Sequence, residues 1–226
     1  MSASICRGRV ESLFGEHVFR APHFAARLAP TPTPKPSADR IAGRGGSVYR
    51  GGMEKLHAPV PGEVWLLHTP PRQAMFALVA RMATIGPVLA LDAADEFDAH
   101  QVARLIRRRA PRRFNRSLGH VRVGQAGTCY QVLALFKQLP ATSMPHIIFD
   151  LPATFCDESV PLPESRRLLQ IALNHVDRLR REAPIIISVR PTPGGRRAEL
   201  LQAVIDRADH LFVWESPGVP VPVKLF

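Results

Sequence analysis

"GEVWLLHTPPRQAMFALVARMA" (residues 62–83) decides the fold reading, because its apolar period changes halfway through. "VWLLH" (64–68) is a continuous apolar run of strand length, as in a strand covered on both faces. After a short loop the apolar residues continue at helical spacing over 73–84. Strand, loop and helix in this order form a frame in which many proteins hold a nucleotide's phosphates. The loop from His68 to Met75, however, contains no glycine and no lysine.

Working outward, the same alternation repeats. "PVLALD" (87–92), "HVRVG" (120–124), "HIIFD" (146–150), "PIIISVR" (184–190) and "HLFVWE" (210–215) are the further strand candidates. Helices are expected near 98–109, 128–139, 164–182 and 197–208. In the longest, Leu168, Ala172, Val176 and Leu179 share one face. Strands alternating with helices over short connections predict an α/β fold, doubly wound around a mostly parallel sheet.

Residues 1–57 differ. "APTPTPKPSADR" (29–40) is Pro-rich and "GRGGSVYRGG" (43–52) Gly-rich, so this part is expected to be a basic, disordered tail preceding one domain over 58–226. No apolar run approaches the about 20 residues of a membrane span, and the opening residues lack the apolar block of a secretory signal. A cytoplasmic protein without membrane partners is the expectation. Cys6, Cys129 and Cys156 share no metal-ligand spacing, so no zinc site or disulfide framework is expected.

The net charge is +11, with 26 Arg against 4 Lys. Such a balance favours anionic partners, nucleic acid first. Its densest block is "RLIRRRAPRRFNR" (104–116), which carries Arg104, Arg107, Arg108, Arg109, Arg112, Arg113 and Arg116 with no acid. Cations at a helix end are ordinary complements of the C-terminal dipole. Seven in thirteen residues exceed that need and suit a phosphate backbone, with Phe114 as a candidate stacking group.

Ligands of such sheets bind at the carboxyl ends of the strands. Asp150 closes one strand candidate and Asp92 another, while Thr128 is placed to cap a helix. Taken together, "LDAADEFDAHQVARLI", "HVRVGQAGTCYQVLALF" and "PHIIFDLPATFCDES" followed by "ESRRLLQIALNHVDRLRREAPIIISV" resemble the ATPase core of the RecA/RadA recombinase family over about residues 60–216. The resemblance implies a RecA-like three-layer sandwich, with Asp150 at the Walker B position.

The opening stretch then lies on the family's phosphate loop. A working loop reads G-x-x-x-x-G-K-[ST], in which glycine N–H groups wrap phosphate, lysine neutralises charge and a hydroxyl reaches magnesium. Here the glycine positions are Thr69 and Ala74, the lysine Met75 and the hydroxyl Phe76, while Pro70 and Pro71 have no N–H to donate. Arg72 is the one cation in the loop. The position of the water-activating Glu is Ala94, with Asp95 and Glu96 displaced along the turn. The resemblance therefore implies a pseudo-ATPase with no catalytic residues, no metal and no cofactor. It also implies DNA-facing loops at 151–165 and 190–197, the second carrying Arg190, Arg196 and Arg197. The function expected is that of a noncatalytic paralogue assisting recombination or repair. It would bind DNA, an active recombinase or both, and could form an oligomer. The alternative is a protein-interaction or regulatory scaffold similar to the KaiC-like branch, which would not bind DNA.

Overall fold

A computed structural model describes residues 59–191 and 197–214, together with the backbone of two short strands at 39–40 and 47–50. The chain divides into Met1–Pro36, which lies outside the described residues, and Ser37–Phe226, which contains every described element.

The strands are β1 (Asp39–Arg40), β2 (Ser47–Arg50), β3 (Val64–His68), β4 (Val88–Asp92), β5 (Val121–Gln125), β6 (His146–Phe149), β7 (Ile185–Val189) and β8 (His210–Val213). They form one sheet in the order β1-β2-β8-β3-β7-β6-β4-β5. From β2 onward every pairing is parallel, and only β1 runs antiparallel to its neighbour. The helices are α1 (Arg72–Ile85), α2 (Ala99–Arg109), α3 (Phe114–Gly119), α4 (Cys129–Gln138), α5 (Leu162–Leu179) and α6 (Ala198–Ile205).

The apolar strand runs are continuous because both faces are covered. Trp65 and Leu67 of β3 pack with α1 and α2 through Met75, Val79, Val102 and Ile106. Val64 and Leu66, pointing the other way, belong to the core built on α4, α5 and α6. The result is an α/β/α arrangement, doubly wound as the periodicity predicts. In α5, Leu168, Leu169, Ala172, Leu173, Val176 and Leu179 form the buried stripe, with Glu164 in the first turn and Arg178 in the last complementing the dipole. Asp98 caps α2 and Thr128 caps α4, each side chain accepting the backbone N–H three residues on.

Three features add to the sequence reading. The backbone at 39–40 and 47–50, within the stretch read as a tail, adds two strands to the sheet edge. β5 stands at the sheet edge beside β4 and is largely exposed. The arginine block contains a second helix, α3, because Pro111 starts a 3₁₀ turn that ends α2 and redirects the chain. Among the described residues, no helix is long and apolar enough to cross a membrane.

Candidate functional site

The loops after β3 and β4 lead to the layer of α1, α2 and α3, whereas those after β6 and β7 lead to the layer of α5 and α6. Because β7 and β6 lie between β3 and β4, the loops part over the centre of the sheet. A crevice at the carboxyl edge is the usual ligand position in this architecture. Among the described residues, Thr69, Asp95, Asp150 and Arg197 are the non-glycine residues with positive φ, at 53°, 54°, 42° and 55°. All four stand at this edge, where left-handed backbone costs on the order of 1–3 kcal/mol each and marks a constrained site.

The loop after β3 offers little to an anion. The Thr69 amide donates to the Val189 carbonyl at 2.9 Å, and the amides of Ala74 and Met75 turn back to the Pro71 carbonyl. With Pro70 and Pro71 lacking N–H groups, at most the amides of Arg72 and Gln73 remain for a phosphate. Met75 and Phe76, which the resemblance aligns with the lysine and hydroxyl, are buried. Phe76 meets Phe149 and Phe97 at ring-centroid distances of 6.1 and 6.3 Å, so an apolar aromatic cluster underlies the loop.

The two strand-ending acids have different roles. Asp92 faces its own turn, where its carboxylate accepts the amides of Ala94, Glu96 and Phe97 at 2.9–3.2 Å. It is a turn former. Asp150 instead faces the crevice. Its amide donates to the Ser188 hydroxyl at 2.9 Å, and its carboxylate accepts the Arg190 amide at 3.1 Å. Burial pushes its carboxyl up to about 6, nearby Glu96 adds to the rise, and the Arg190 amide and guanidinium oppose it.

The turn that Asp92 winds carries Glu96 inward, its side chain only 8% exposed. The family resemblance, counted along the sequence, aligns Ala94 with a water-activating Glu. The carboxylate that reaches the crevice belongs to Glu96, and a turn anchored by Asp92 is the signal that could have found it. Glu96 is nevertheless committed: its Oε1 accepts from the Arg190 guanidinium and, at 3.2 Å, from Arg72. An oxygen held by two guanidinium groups is not free to take a proton from water.

Arg190 thus has a different place from the one expected. Its guanidinium donates to Glu96, donates to the Pro70 carbonyl at 3.2 Å and lies 4.0 Å from Asp150 Oδ2. Arg197 is similarly engaged, donating to the carbonyls of Phe155 and Val160 and to the Ser165 hydroxyl at 2.7–3.1 Å. Both guanidinium groups are held by acceptors within the domain. Arg196 lies outside the described residues.

The arginine block has the opposite character. Arg104, Arg107, Arg108 and Arg109 project from the exposed face of α2, whose other face buries Val102 and Ile106. Arg112, Arg113 and Arg116 follow around the 3₁₀ turn and α3, and all seven are exposed. The part from Arg112 to Arg116, with Phe114 and Asn115, lines a shallow, open depression. No acidic side chain among the described residues pairs with any of the seven. The Arg107 guanidinium lies 4.6 Å from the Phe114 ring centroid, so one face of that ring is already occupied. His120, just past α3, bonds through its carbonyl to the Val88 amide at the start of β4. The block therefore leads toward the amino edge of the sheet, away from the crevice.

Cys129 and Cys156 are free, and no cluster of three metal-ligating side chains occurs among the described residues. A scan of the chain against protein-family models finds no match, and a search of curated proteins finds none.

Proposed function

We propose that this chain is a noncatalytic RecA-like protein that binds the phosphate backbone of DNA through the arginine corner of α2 and α3, in support of recombination or repair. The observation carrying the proposal is seven exposed arginines, Arg104 to Arg116, without an acidic partner among the described residues. Leaving so much like charge unneutralised raises the potential locally and attracts a polyanion. The RecA-like part draws support from position: the loop after β3, the acid-bearing turn after β4 and Asp150 after β6 converge on one edge. The noncatalytic part draws support from chemistry, since the loop leaves at most two amides for a phosphate and Glu96 is held by two arginines. DNA bound at the corner would be separated from the crevice, so its binding would not depend on ATP.

The test is binding of labelled single- and double-stranded DNA at about 50 and about 200 mM salt, with and without ATP. Wild type would be compared with a variant in which Arg107, Arg108, Arg109, Arg112 and Arg113 are all Ala. The expected result is ATP-independent binding that weakens steeply with salt and falls about 10-fold or more in the variant. No binding by wild type at low salt would reject DNA as the partner and favour the regulatory scaffold.

A further inference from the structure

The crevice does not fit a magnesium-bound nucleotide, and one side chain accounts for much of the misfit. Glu96 and Asp150 come from strands whose loops part toward opposite helical layers, with side chains 8% and 11% exposed. Two carboxylates so far from water require a nearby positive charge. The chain supplies it from β7: the Arg190 guanidinium bonds Glu96, approaches Asp150 and donates to the Pro70 carbonyl. Those three contacts reach the loops after β4, β6 and β3. Arg72 closes the outer side through Glu96, and its own side chain is 65% exposed, so it contributes less.

We infer that Arg190 is a tethered cation that fastens the parted loops together and keeps the crevice filled, closing the carboxyl edge to metal and nucleotide. This deepens the noncatalytic half of the function proposed above and does not depend on the DNA-binding half. A lysine would not serve equally. Its ammonium is one compact charge, whereas the guanidinium fork reaches a carboxylate and a carbonyl at once.

The experiment is thermal melting of the full chain carrying Arg190→Ala, Arg190→Lys, Glu96→Gln or Arg190→Ala with Glu96→Gln. Arg190→Ala is expected to melt roughly 5 °C or more below wild type, with Arg190→Lys between them. Ethylguanidinium at low millimolar concentration should recover part of the loss in Arg190→Ala and have no such effect on wild type. The double variant should lose less than the sum of its single changes, because removing one partner strands the other charge. If Arg190→Ala yields no folded chain, recovery of folded protein in the double variant supports the inference, and failure to recover overturns it. Melting of Arg190→Ala within about 1 °C of wild type would overturn it, as would a loss unaffected by both ethylguanidinium and Glu96→Gln. Stabilisation of wild type by Mn²⁺ or by magnesium–ATP, removed by Asp150→Asn, would overturn the closure directly. DNA binding, measured on the same variants, should be unchanged, so failure of this inference is distinguishable from failure of the DNA-binding proposal.

Discussion

The carboxyl edge and the arginine corner contain the same kind of side chain in opposite electrostatic states. At the edge, Arg190 and Arg72 meet Glu96, and Arg197 is enclosed by carbonyls and a hydroxyl. At the corner, seven arginines project without acidic partners among the described residues. Arginine count alone does not distinguish an internal tie from an external surface. What distinguishes them is how closely the surrounding elements hold the guanidinium: of the seven, Arg109 has a single acceptor, the Ala77 carbonyl at 3.5 Å, among the described residues. The first region should therefore govern stability and the second binding.

The largest stability effect should come from Glu96→Ala, which leaves Arg190 in the crevice without its main carboxylate. We expect a loss of about 2–4 kcal/mol in denaturant unfolding, below the full range for buried pairs because Arg190 is 28% exposed. A loss under about 1 kcal/mol would place this pair with ordinary surface pairs and erase the contrast.

Asp150→Asn should act next, and its sign depends on pH. The native carboxyl titrates near 6, above the about 3.9 of an unfolded chain, so the native state holds its proton more tightly. Its ionisation thus weakens the native state increasingly as pH rises from about 4 to 6, with a constant cost above that. The variant should gain on the order of 2 kcal/mol over wild type at pH 8, a difference that disappears near pH 4. His146, held near 4 chiefly by burial, makes wild type lose stability as pH falls from about 6.5. Only the difference between the two chains isolates Asp150. A gain that does not depend on pH would show that the substitution acts through packing.

At the corner, changing the same five arginines to Ala should alter stability by less than about 1 kcal/mol, with a slight gain at low salt. Like charges spaced three and four residues apart on α2, such as Arg104–Arg107 and Arg104–Arg108, then no longer repel. Arg107→Ala alone should show the smallest change, a loss of about 0.5 kcal/mol from uncovering Phe114. Substantial unfolding in either variant would mean that the corner, like the edge, is structural.

Much of the fold is legible because burial writes itself into short apolar runs. β3, β4, β6 and β7 carry side chains buried on both faces, and their apolar runs mark the strand ends to within one or two residues. The helix α3 is not legible, since an arginine-rich segment has no long apolar stripe and Phe114 and Leu118 are only partly covered. β1 and β2 are hidden for a related reason: strands of two and four residues amid Gly and Pro give no usable period. Asp150 stands out as an acid ending an apolar strand. Glu96 does not, because its place depends on how Asp92 winds the intervening turn.

By itself, the sequence determined the layered α/β alternation, a loop after β3 without glycine or lysine, and the concentration of positive charge in residues 104–116. These depend on residue type and local spacing, which the chain carries directly. Only the tertiary structure decided which arginines face solvent and which are tied inside. Arg190 and Glu96 are 94 residues apart in the chain, and the crossing order of the sheet, with the turn wound by Asp92, brings their charges together.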